Sequence, residues 1–283
     1  MYTIKSLGLA GLATAALFAG QVFATPCPIA PIGGAQTQGS PVCIAPTSPD
    51  SATNGAPADL QSQLNNITTS GPLIDVYNGQ THPSSWWAPG ATGLSANKFL
   101  FEIAGNANIN SFGIFDPTNS ANHLQLFSGP ATAGWSTTLF VDLAGTTYSS
   151  VQFDGSANPQ GPTTHATFGA ANLFGYYLDT PNGFFYSVPG MNDASSAYPD
   201  GMPHMVAYQG GNGTYINGRQ FLANEFLLAW EDQPFINSDL DYNDFVVMVE
   251  SVHPVPEPAA LGMFGLGALL IGAFVGMRRR EQV

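Results

Sequence analysis

The sequence predicts an all-β protein: an antiparallel, jelly-roll-like β-sandwich set between an N-terminal secretion signal and a C-terminal transmembrane sorting helix. Three observations lead there. From residue 72 onward, apolar runs of five to seven residues alternate with turns rich in Gly, Asn, Pro and Asp. No helical periodicity stands between those runs, which argues for one antiparallel sandwich and against alternating βαβ units. Finally, only 9% of the 283 residues are charged, against roughly 25% in ordinary soluble domains. Hydrophobic and aromatic contents of 44% and 12% still supply a core, so Asn, Ser, Thr and Gly must solvate the surface.

Residues 1–24 read as a signal peptide, with Lys5 at its start, a small-and-apolar stretch over 7–20, and Val22-Phe23-Ala24 before the cut. Residues 25–57 lack hydrophobic periodicity and read as a flexible Pro/Gly/Ser-rich linker. They hold both cysteines, Cys27 and Cys43, which in an oxidising periplasm most simply form a disulfide. The ectodomain is expected over 58–254. Asp59 is placed to cap a short helix with Leu60, Leu64 and Ile67 on one face. Strands are expected over 73–77, 98–103, 109–115, 123–127, 137–143, 148–153, 173–178, 184–188, 204–208, 226–230 and 245–249. Thr180-Pro181-Asn182-Gly183, between two aromatic runs, is the clearest hairpin turn.

Residues 255–283 form the last unit. Pro256-Glu257-Pro258 precede an uncharged run over 259–277, and Arg278, Arg279 and Arg280 follow it. As a helix that run spans about 28 Å, close to a bilayer core of about 30 Å. The arginines belong on the cytoplasmic side, so the rest of the chain lies outside the inner membrane. Between residues 25 and 255 stand 17 acidic and 2 basic residues, a balance of −15. Phosphate backbones require Lys and Arg, so nucleic acid is excluded as a partner.

The densest polar segment runs from Trp230 to Phe245 between two β runs. Asp239, Asp241 and Asn243 alternate, Asp244 follows, and Glu231 and Asp232 precede them. Oxygen donors in that pattern suit a hard cation such as calcium. The EF-hand is rejected, because Asp244 stands where that loop needs Gly and Phe245 begins a β run. Two readings stay open: one calcium ion, or a turn tied by its own hydrogen bonds. No two of the five histidines, His82, His123, His165, His204 and His253, are spaced for zinc, and no nucleophile motif occurs. Trp86 and Trp87 are the candidates for stacking on sugar rings.

Two resemblances rest on these residues. Val255-Pro256-Glu257-Pro258, the apolar span and the Arg cluster resemble the PEP-CTERM sorting signal of Gram-negative bacteria. That resemblance implies processing by an exosortase, a membrane-embedded transpeptidase-like enzyme, and association with exopolysaccharide and biofilm. Trp230-Glu231-Asp232 and Asp241-Tyr242-Asn243-Asp244-Phe245 resemble the end of the domain of unknown function 4114, which implies an exported β-sandwich without established enzymatic activity. The expectation is a non-catalytic protein of the cell surface or extracellular matrix, anchored in the inner membrane only in transit. The alternative is a carbohydrate-binding or carbohydrate-cleaving module of the exopolysaccharide system.

Overall fold

The computed structural model describes residues 42–52, 55–82, 84–101, 109–195, 201–234 and 237–256. The signal peptide, Cys27 and everything from Glu257 onward lie outside them. Helix α1 (Leu60–Ile67) leads into β1 (Thr68–Ser70), β2 (Trp86–Pro89), β3 (Leu94–Phe101), β4 (Ser111–Asp116) and β5 (Asn119–Phe127). β6 (Ser136–Val141), β7 (Thr147–Phe153), β8 (Thr164–Thr167), β9 (Gly175–Thr180) and β10 (Gly183–Tyr186) follow. After α2 (Pro189–Ser195) come β11 (Met205–Gln209), β12 (Tyr215–Ile216), β13 (Arg219–Gln220), β14 (Glu225–Trp230), β15 (Phe245–Glu250) and β16 (Val252–Val255). Among the described residues no helix is long and apolar enough to cross a membrane.

The architecture is mostly antiparallel sheet and sandwich-like. A seven-stranded sheet, in the order β11-β14-β15-β3-β6-β7-β8, lies over a four-stranded one, β10-β9-β4-β5. Two small sheets, β1-β12-β13 and β16-β2, complete it. Seven strands against four is not the eight-stranded double Greek key of a jelly roll, so that detail of the expectation does not hold. Aromatic rings fill the space between the large sheets. Phe112 stacks on Tyr176 with ring centres 5.3 Å apart and on Phe245 at 5.4 Å, and Phe99 stacks on Phe245 at 4.6 Å. Ring pairs in such arrangements add about 0.5–1.5 kcal/mol each beyond area burial.

The hairpin β14–β15 is apolar on both faces. Phe226, Leu228, Trp230, Phe245, Val247 and Val249 join the core between the sheets. Leu227, Ala229, Val246 and Met248 point the other way, into a second core with Leu60 and Leu64 of α1 and with Val42 and Ile44. The protein is therefore locally three-layered. Within the stretch 25–57 expected as a linker, Val42, Ile44 and Ala45 are buried, and Ala45 N donates to Leu240 O at 2.8 Å. Cys43 of the same stretch is disulfide-bonded.

Local chemistry explains the other agreements and departures. Asp59 caps α1, its carboxylate accepting from Ser62 N at 2.9 Å, as its position before the apolar periodicity requires. Thr180 and Gly183 face each other across the β9–β10 turn, with Gly183 at φ 114°. Residues 73–77 form no strand. Asp75 Oδ1 accepts the backbone N–H groups of Tyr77 and Asn78, both at 3.0 Å, and draws the chain into a turn. Trp86 and Trp87, which lie outside the expected strands, form β2 against β16, with Trp87 opposite Pro254 and Trp86 opposite Val255.

Full burial of one Val and one Ile stabilises a fold by about 3–6 kcal/mol. A chain beginning at Ala58 is therefore expected to melt about 10 °C below one beginning at Val42, at roughly 2–4 °C per kcal/mol for this size. Equal melting temperatures by circular dichroism would return 42–57 to the status of a tether.

Candidate functional site

Residues 231–244 connect β14 to β15, and their flanking residues Trp230 and Phe245 are register partners. Both ends of the loop are thus fixed by the aromatic core. Within it, Leu240 and Tyr242 adopt positive φ, 63° and 54°, each costing about 1–2 kcal/mol for a residue with a Cβ. Packing holds them there. Leu240 lies against Ala45, and Tyr242 is buried with its hydroxyl donating to Pro203 O at 2.6 Å. The alternation turns the apolar side chains one way and leaves Asp239, Asp241 and Asn243 the other.

The six residues singled out from sequence do gather, but as two groups. Carboxylate oxygens of Glu231, Asp232 and Asp244 lie within 4.8 Å of one another, all three residues buried. A second trio, within the same limit, joins Asp239 and Asp241 to Asp50. Asp50 was not foreseen. It comes from the stretch read as linker, and nothing in the one-dimensional pattern ties it to the loop.

Neutral donors hold part of this framework. Asp232 N–H donates to Asp244 Oδ2 at 2.8 Å, and Asn110 Nδ2 donates to Asp232 Oδ2 at 2.8 Å. Asn243 Nδ2 donates to Asp241 Oδ2 at 2.6 Å and to Ala58 O at 2.8 Å. Glu231 is different. It is 1% exposed, and neither of its oxygens receives a hydrogen bond. Ser238 comes near enough to favour its ionised form without reaching bonding geometry.

Burial, then mutual repulsion, pushes these carboxyls up. Glu231 is raised well above its usual range by desolvation and next by Asp244. Asp244 is raised by desolvation and then by Asp232. Asp241 is pushed up to about 7, by burial and then by Asp239. Asp239 is raised by burial and then by Asp50. Arg219 offers no relief, because it is bonded to Glu225 and Glu250. The donors are all oxygens, a set that suits calcium and disfavours zinc or copper.

The tryptophan candidates fare differently. Trp87 is fully buried, with Nε1 donating to Ser84 O at 2.8 Å. A ring inside the core has no face for a sugar. Trp86 is half-buried and leans on Phe115 at 5.7 Å.

The far end is the segment that similarity identifies. Residues 254–280 match the PEP-CTERM protein-sorting motif. The match marks an exported protein, anchored in the membrane in transit and processed by an exosortase. It covers the tail and not the sandwich. No curated protein is significantly similar to the chain.

The PEP-CTERM motif begins inside β16, where Val255 pairs with Trp86, so the Pro256-Glu257-Pro258 signal directly abuts the folded domain. In a host with an exosortase, intact-mass measurement is expected to show a mature protein that has lost Arg278–Arg280 but keeps Val255. Removal of β16 would uncover Trp87. Secreted material carrying the full C-terminus would contradict this.

Proposed function

We propose that this is a non-catalytic structural or binding protein of the cell surface or extracellular matrix, associated with exopolysaccharide or biofilm, whose sandwich is fastened by calcium at the β14–β15 loop. The observation that carries the reading is the burial of its densest functional groups: Glu231, Asp232, Asp241, Asn243 and Asp244 are all at most 5% exposed. A bare ion fits among such carboxylates, whereas a polymer substrate needs an open face. The resemblance of Trp230-Glu231-Asp232 and Asp241-Tyr242-Asn243-Asp244 to the domain of unknown function 4114 supports the same view.

Extracellular calcium modules bind at about 10⁻⁴–10⁻³ M. At millimolar calcium, linkage then stabilises by about 0.4–1.4 kcal/mol, or about 1–6 °C in melting temperature. The test is melting of the mature protein in calcium, magnesium or a chelator. Calcium is expected to raise the transition in the wild type and to raise it less in Asp241→Ala. A metal-free wild type indifferent to calcium would return the loop to a self-satisfied turn, and turnover of the producer's polysaccharide would overturn the non-catalytic reading.

A second reading, glycan binding, has its own observation. A cleft of about 230 Å³ is lined by the uncharged hydrogen-bonding groups of Gln125, Ser128, Ser150, Gln152, Gln160 and Thr164, together with Leu126 and Pro162. Behind it, Thr137 is the register partner of both Gln152 and Asn97. Buried Asn97 and Thr137 have side-chain polar atoms without hydrogen-bond partners. Neutral amides and hydroxyls in a row suit a neutral sugar. Glycan-array binding that Gln152→Ala abolishes would favour this reading over a purely structural role.

A further inference from the structure

The geometry of the loop points to two cations: an inner one held by Glu231, Asp232 and Asp244, and an outer one held by Asp239, Asp241 and Asp50. This rests on the reading that the loop binds calcium at all, and it changes the number of ions, their ligands and what they join. The first argument is spacing. Two oxygens on one calcium ion lie at most about 5 Å apart, since each sits at about 2.3–2.6 Å from it. Each trio meets that limit, with one oxygen from each of its three residues inside 4.8 Å, and the six carboxylates fall into two such groups rather than one.

The second argument is independent of the acidic cluster as such. Glu231 is 1% exposed, lies in the inner trio and receives no hydrogen bond on either oxygen. A carboxylate in that position is costly unless something charged or protic meets it. The outer group has a similar loose end. Asn243 is fully buried and its Nδ2 is bonded to Asp241, yet its Oδ1 has no partner. An amide oxygen is a further hard ligand beside the outer trio.

The two ions have different consequences. Every inner ligand lies on the β14–β15 connection, so the inner ion closes that loop on itself. The outer one joins the loop to Asp50, on the stretch whose Val42 and Ile44 cover the second face of the hairpin. The outer ion is thus a clasp on the N-terminal segment, and it works only where calcium is abundant, as outside the cell.

The experiment measures calcium stoichiometry on the chelator-treated mature protein, by equilibrium dialysis and native mass spectrometry. The wild type is expected to bind two ions per chain. Asp50→Ala should bind one, and its N-terminal segment should be cut by protease at least tenfold faster at millimolar calcium. Glu231→Gln should also bind one, with the N-terminal segment still protected. Because Glu231→Gln alters a buried position, terbium serves as a second probe. Emission sensitised by Trp230, the neighbour of Glu231, should persist in Asp50→Ala, a half-buried site whose replacement leaves the core intact. One ion per wild-type chain, unaffected by Asp50→Ala, would overturn the two-ion assignment and leave the single-site reading standing. No bound ion in the wild type would sink both.

Discussion

The hairpin β14–β15 must be covered on both faces, and most of the molecule follows from that requirement. An ordinary antiparallel sheet can leave one face in water. Here one face of the hairpin meets the aromatic core against the four-stranded sheet, and the other meets α1 and the segment around Val42 and Ile44. A strand pair sealed in this way holds its connecting loop inside the protein as well. That is how a run of carboxylates comes to be buried between Trp230 and Phe245.

Burial sets the chemistry of the loop. In water, Glu231, Asp232, Asp239, Asp241 and Asp244 would be ordinary acids repelling one another weakly. Within the fold, desolvation raises Glu231, Asp244 and Asp241, and each neighbouring carboxylate adds to the effect. The chain has almost no internal cations, and Arg219 is committed to Glu225 and Glu250. Neutral donors such as Asn110 and Asn243 meet some of the oxygens. They do not reach Glu231. A proton or a cation must meet what those donors leave.

The sorting motif has a mechanical relation to the same fold. β16 pairs with β2 up to Val255, and the Pro256-Glu257-Pro258 signal follows without a spacer. Any enzyme acting there meets the sandwich at once. The pairing of Trp86 and Trp87 in β2 also explains why neither ring stands free: one lies in the core and the other rests on Phe115.

Much of this was legible in one dimension. Turn residues and apolar runs marked most of the large-sheet strands, Asp59 marked the start of α1, and the three-part tail marked the sorting signal, because each is a local pattern of a few residues. The acidic loop was also visible as a concentration of carboxylates and amides. Its division into two trios was not, since that depends on distances between side chains that a positive φ at Leu240 and Tyr242 arranges. The uninterrupted apolar runs 226–230 and 245–249 did carry a hint that both faces are buried. What covers the second face, and with it the recruitment of Asp50, was decided only by tertiary packing. A Pro-rich segment has no periodicity to announce that it lies on a sheet, so its place is set by the surface that needs covering.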